Sequence, residues 1–168
     1  VLLAVIDRLK LTHQQQLEVL FTAGAFGLVI ANNASISGAE GGCQAEVGSA
    51  SAMASAALVA ASGGTPDQSA QAVAITIKNM MGLICDPVAG LVEVPCVKRN
   101  ALGSSQAFIS ADMALAGIRS VIPPDEVIHA MYQVGRQMPQ IFKETAEGGL
   151  AVTPTAQRLS KEILEKQK

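Results

Sequence analysis

The sequence predicts an all-α fold, a compact bundle of about six to seven helices with small-residue-rich helices at its centre and no significant sheet. Three observations lead there. No segment alternates apolar and polar residues for long enough to make a half-buried strand. Gly and Pro recur at intervals that cut the 168-residue chain into helix-length blocks. Charge is also unevenly placed: there is no Asp, Glu, Lys or Arg from Val19 to Ala39, and only Asp67 from Val47 to Ile77. Helices in those two spans lack a solvated face and are expected to be buried all round, with Ala, Gly and Ser letting their backbones approach closely.

Each element has its own signal. Residues 1–11 read as an entering helix. Thr12 is placed to cap a helix over 13–31, and 32–42 reads as a polar, glycine-bearing loop. A helix over 44–61 is stopped by Ser62-Gly63-Gly64. Thr65-Pro66-Asp67 then combines an N-cap, a proline at the first helical position and an acidic first turn, opening a helix over 66–83. Residues 85–95 form a loop holding Pro87 and Pro95; within it 88–94 is the one strand candidate, too isolated to make a sheet. A helix over 97–117 follows. Pro123-Pro124-Asp125-Glu126 opens another, which Pro139 interrupts or ends. After a turn at Glu147-Gly148-Gly149, Thr153-Pro154 caps a last helix reaching Glu165, with Arg158, Lys161, Glu162, Glu165 and Lys166 as its solvated face.

Composition narrows the function classes. Apolar residues make up 49% of the chain and aromatic ones only 3%, so the core must be built from Ala, Val, Leu, Ile and Met. With 15% charged residues and a net charge of −2, there is no basic footprint for a nucleic acid and no aromatic interleaving for base stacking. Mean hydropathy is high at +0.35, yet Gly, Ser, Asn and Thr break every apolar run before the roughly 18 residues of a membrane span. Neither nucleic acid nor membrane is an expected partner, and no secretory signal is visible. The chain opens on Val1. Its apolar excess is read as surface covered by a missing part of a longer protein, with 1–168 expected to be a single helical domain.

The chemistry concentrates in three cysteines, Cys43, Cys85 and Cys96. An odd count without an export signal argues against a disulfide framework. Each lies at a helix end rather than inside a helix: Cys43 before one, Cys85 after the next, Cys96 before the one after. Helix N-termini lower a thiol pKa, thiolates bind metals, and nearby amides can hydrogen-bond to cluster sulfides. The spacing has no Cys-x-x-Cys pair and matches neither a zinc ribbon nor a bacterial ferredoxin. On residues alone, three unrelated buried thiols, an iron–sulfur site and a zinc site completed by Asp86 all stay open.

The stretches "SGAEGGCQAEVGSASAMASAALV", "GLICDPVAGLVEVPCVKRN" and "TPTAQRLSKEI" resemble the alpha domain of iron–sulfur-dependent L-serine dehydratases, over essentially the whole chain. The resemblance implies a [4Fe–4S] cluster held by Cys43, Cys85 and Cys96 with one iron left open to substrate. The implied reaction converts L-serine to pyruvate and ammonia through an aminoacrylate. The open iron acts as a Lewis acid on the serine hydroxyl, which a fourth thiolate would block. It further implies an upstream segment and a beta domain or subunit, a homo-oligomer in the full-length form, a cytoplasmic enzyme of amino-acid degradation and gluconeogenesis, and little activity for this portion alone.

Around the cysteines, the amides of Gly41, Gly42, Cys43 and Gln44 suggest a helix N-terminal anion site. Glu46 reads first as a complement to the helix dipole. Asn32, Asn33, Ser35 and Ser37 lie in the approach loop, where turn chemistry explains them as well as substrate binding does. Lys98 and Arg99 follow Cys96 and either neutralise charge at the site or form a solvated pair. His13 and His129, the only histidines, read as surface or core residues, so the general base is expected before Val1. A related desulfidase acting on L-cysteine, and a helical module binding no metal, are the alternative readings.

Overall fold

Two capping boxes set the starts of two of the longer helices. In the computed structural model, which describes residues 1–166, Thr12 opens α2 (His13–Asn33) and Thr65 opens α5 (Pro66–Met80). The Thr12 hydroxyl accepts from the Gln15 amide at 3.4 Å and that of Thr65 from the Gln68 amide at 3.2 Å. Each glutamine side chain accepts in return from the threonine amide at 2.9 Å. Two donors are thereby satisfied at each helix start. The other helices are α1 (Leu2–Leu9), α3 (Gly38–Gly41), α4 (Ser49–Ala61), α6 (Cys96–Leu115), α7 (Pro124–Gln137) and α8 (Pro154–Lys166). No strand occurs among the described residues, only an isolated bridge between Cys85 and Lys143.

α4 is the central helix. It packs against α2, α5 and α6, while α7 closes over α5. Ala52, Ala56, Val73, Ala74, Ile77, Val127, Ile128 and Met131 meet Ile30 in one part of the core; Leu58, Val59, Ala72, Ala107, Ala111 and Ala114 form another. Small side chains make this packing possible, and several of their hydroxyls find partners, although that of Ser49 does not. Ser55 donates to the Ala52 carbonyl at 2.8 Å, Thr76 to Ala72 at 2.9 Å, and Ser69 crosses from α5 to the Ala56 carbonyl of α4 at 3.1 Å. A buried hydroxyl with such a partner avoids the cost of lost hydration.

Four expectations need correction. α2 is not buried all round: Val19, Ala23, Gly27 and Ile30 face the core, but Leu20, Phe21 and Leu28 are exposed. Its neighbours α1, α4 and α7 cover only part of its circumference. The expected loop over 32–42 contains the short helix α3, and α2 itself runs on to Asn33. The helix expected from Gln44 begins with a π-helical turn, Gln44–Gly48, before α4 proper. The strand candidate at 88–94 is a 3-10 turn, Val88–Gly90. On α8, Arg158, Lys161, Glu162 and Glu165 are exposed as expected, while the Lys166 side chain lies outside the described residues.

A surface fork ties the start of α5 to the α6–α7 connection: Arg119 donates to both Asp67 oxygens, at 2.5 and 3.2 Å. That guanidinium holds the Asp67 carboxyl below its ordinary value. A depressed folded-state pKa adds stability above the unfolded value and loses it as pH falls through the folded one. The thermal-midpoint difference between wild type and Asp67→Asn is therefore expected to be constant near neutrality and to shrink below about pH 4. Thermal melts at a series of pH values check this.

Candidate metal centre

The turn carrying Cys43 is forced into shape by its neighbours. Gly42 has φ +76°, a conformation side chains resist, and a Cβ there would sit 2.9 Å from the Leu83 carbonyl oxygen. The next residue but one, Gln44, is 1% exposed and stitches three segments together. Its amide donates to the Leu83 carbonyl at 2.9 Å, its side-chain oxygen accepts from the Gly82 amide at 2.8 Å, and its Nε2 donates to the Met131 carbonyl at 3.1 Å. This clamp fastens the Cys43 turn to the chain just before Cys85.

Cys85 is held from its other side. Its amide donates to the Phe142 carbonyl and its carbonyl accepts from the Glu144 amide, both at 2.9 Å. Glu144 is not glycine yet has φ +67°, and Ala146 has φ +59°, so the segment is bent sharply to reach Cys85. Cys96 is the first residue of α6.

All three thiols are buried. Those of Cys43 and Cys85 pack in one buried cluster with Val47 and Met80. Both lie, with the exposed carboxylate of Glu46, within 4.8 Å of one another. Cys96 does not share that contact, but the charge of Cys43 reaches it. A Cβ on Gly38 would stand 2.8 Å from Glu46 Oε2, 3.4 Å from Cys85 Sγ and 3.4 Å from Glu144 Oε2. The bare Gly38 therefore faces a mouth where two exposed carboxylates flank a buried sulfur.

Helix N-termini were expected to lower the thiol pKa values; here burial wins. It pushes the Cys43 thiol up, only partly opposed by Cys85 and Arg99. Burial raises Cys85 strongly, with the Cys43 charge adding to it, and raises Cys96 for the same two reasons. Without a cation the site holds neutral thiols, and binding a metal must expel their protons. In metal-free protein at neutral pH, alkylation of the three thiols by iodoacetamide is expected to be slower than that of an exposed cysteine by at least about an order of magnitude. Mass spectrometry of native against denatured samples measures this.

Arg99, not Lys98, is the cation of the site. Its guanidinium pairs with Asp86 at 2.5 Å and donates to the Ile84 carbonyl at 2.9 Å, and its charge favours the thiolate of Cys43. Lys98 is exposed. Asp86 is 1% exposed and uses both oxygens, one for Arg99 and one for the Leu150 amide at 2.6 Å. It is thus occupied as an anchor, and Glu46 takes the place expected of Asp86 beside the sulfurs.

The anion site built from free amides does not form, because those of Gly41, Gly42 and Gln44 donate to the carbonyls of Ser37, Gly38 and Leu83. Ser37 lies at the start of α3, its amide held by the Ser35 hydroxyl at 3.1 Å. Asn33 is turned away: its side chain donates to Val29 at 2.7 Å, and it lines a small cleft with Asp125 and His129. His13 starts α2 and His129 pairs with Gln133, so neither joins the thiols. Sequence reasoning passed over Glu144 and left Glu46 to the helix dipole, although Glu46 stands one helical turn after Cys43. Glu144 carried no local signal.

Comparison with known proteins fits this geometry. The family model described as "Serine dehydratase alpha chain" matches residues 1–151. A "Probable L-serine dehydratase, alpha chain" of Bacillus subtilis (strain 168) is 68% identical over 162 residues, 96% of this chain and 54% of that relative. A protein of the same name from Latilactobacillus sakei is 57% identical over 97% of this chain and 78% of its own. "L-serine dehydratase 1" of Escherichia coli (strain K12) is 48% identical over 77% of this chain and 29% of its own. The chain thus spans about half the length of the B. subtilis relative. No helix among the described residues is long and apolar enough to cross a membrane. On the match over residues 1–151 and these identities, the chain belongs to the serine dehydratase alpha chain family.

Proposed function

We propose that this chain is the cluster-bearing part of an L-serine dehydratase, a lyase converting L-serine to pyruvate and ammonia, with Cys43, Cys85 and Cys96 as ligands of a [4Fe–4S] cluster. One observation carries the reading: Cys43 and Cys85, from separate loops of a serine dehydratase alpha chain, bring buried thiols within 4.8 Å of each other. The donor set suits the group, since thiolates select iron–sulfur clusters and zinc over hard cations. When bound, such a cluster supplies an iron with an open position, a Lewis acid for the serine hydroxyl.

The chain's own residues do the rest. Arg99 places a positive charge beside Cys43 and offsets the charge of deprotonated thiols. Asp86 fixes that guanidinium. Glu46 and Glu144 present carboxylates at the solvent side of the sulfurs, where they attract the ammonium group of an amino acid. Gly38 leaves that approach free of a side chain. Gln44 holds the two cysteine loops at a constant separation. In this reading 1–168 is one domain of a longer cytoplasmic enzyme, a homo-oligomer that works with an upstream segment and a beta domain or chain.

Full-length protein reconstituted anaerobically with iron and sulfide tests the proposal. Serine-dependent pyruvate exceeding sulfide release from L-cysteine supports it. The reverse preference makes the protein a desulfidase. A full cluster with neither activity overturns the reading. Stoichiometric zinc that iron cannot displace would instead favour a mononuclear site of Cys43, Cys85 and Glu46, which their spacing within 4.8 Å also suits.

A further inference from the structure

A second cavity, of about 400 Å³, opens between α3 and α7 and shares no thiol with the site above. The two are separated by α3 itself. Gly38 faces Cys85 and Glu46, whereas Ala39, Glu40 and Gly41 line the cavity. Its floor is buried and chemically quiet: Met131, Gly135 and Gln44, whose side chain is fully engaged with backbone. Its charge lies at the rim. Arg136 from α7 and Lys143 from the segment lashed to Cys85 both line it. Neither makes an ion pair among the described residues. Glu40 lines it too, and its carboxylate is oriented by the Ser35 hydroxyl at 2.6 Å.

Two cations with no carboxylate partner, one aimed carboxylate and a neutral floor make a pattern of opposite charges around a space of small-molecule size. An anion alone would gain from Arg136 and Lys143 but be repelled by Glu40. A cation alone meets the reverse. A molecule carrying both charged groups on one carbon satisfies all three groups, its carboxylate on the two cations and its ammonium on Glu40. We propose that this cavity is a binding site for a small α-amino acid, distinct from the thiol site. Its occupant rests on the outer face of the turn whose first residue, Gly38, faces the Cys85 sulfur. The proposal stands whether or not the dehydratase reading does, because its three charged groups, Glu40, Arg136 and Lys143, have no part in that reaction.

The test uses iron-free full-length protein, so that the thiol site contributes no metal. Calorimetric titrations with L-alanine, which has no hydroxyl to eliminate, are compared with pyruvate, which has no ammonium. L-Alanine is expected to bind, and pyruvate to bind at least about tenfold more weakly. Arg136→Gln with Lys143→Gln, and separately Glu40→Gln, are each expected to weaken L-alanine by about tenfold or more at unchanged thermal midpoint. Arg136→Lys, which keeps the charge, should weaken it less. A variant-free measurement runs alongside: acetylation of Lys143, read by mass spectrometry, should slow when L-alanine is present. No binding of L-alanine, equal binding of pyruvate, or binding indifferent to both charge variants would overturn the proposal.

Discussion

Asp86→Ala is expected to lower the unfolding free energy by about 3–5 kcal/mol, the range for removing one partner of a buried ion pair. The pair merits that range because Asp86 is 1% and Arg99 15% exposed at the side chain. Truncation strands the Arg99 guanidinium in a largely dry site and leaves the Leu150 amide without its 2.6 Å acceptor. At this chain length the loss corresponds to a drop of roughly 6–20 °C in thermal midpoint. Asp86→Asn, which keeps an acceptor for Leu150, should lose less. Asp86→Ala combined with Arg99→Met should recover part of the loss, since the uncompensated charge is gone. Denaturant unfolding of the four proteins decides it. A loss under about 1 kcal/mol for Asp86→Ala would mean that water reaches the pair and screens it.

Cys43→Ala is expected to act in the opposite way, sparing the fold and removing the site. The thiol packs against Val47, Met80 and Cys85. Trimming its one sulfur from that small cluster should cost about 1 kcal/mol, toward the low end for buried truncations. Iron retained after anaerobic reconstitution should fall to the level of unreconstituted protein, and serine-dependent pyruvate with it. Cys85→Ala should do the same. Lys98→Ala, on an exposed side chain, should change neither quantity. Iron analysis and the pyruvate assay on one set of variants, with thermal melts as the folding control, separate loss of ligand from loss of structure. Full iron content in Cys43→Ala would remove Cys43 from the ligand set.

Much of the fold could be read locally. The capping boxes at Thr12 and Thr65 involve residues three apart, so the pattern in the chain is the contact itself. Arg99 was legible by the same logic: it stands one turn after Cys96 and shares its face of α6, whereas Lys98 points elsewhere. The outward face of α2 was not legible. A missing charge says that a face is apolar, not that a neighbour covers it, and Phe21 is 75% exposed.

The chain by itself determined the all-helical architecture, the placement of three cysteines at helix ends and the family those stretches resemble. Each of these rests on periodicity, capping or contiguous motif, which act over a few residues. Tertiary structure alone decided which side chains stand beside the sulfurs. Glu144 reaches Cys85 through backbone bonds between distant segments, and Gln44 draws α7 and the Gly82–Leu83 corner onto the Cys43 turn. It also decided the protonation of the thiols. A helix N-terminus favours the thiolate locally, but burial among Val47, Met80 and the other sulfurs penalises that charge more, and burial is set by everything packed around the site.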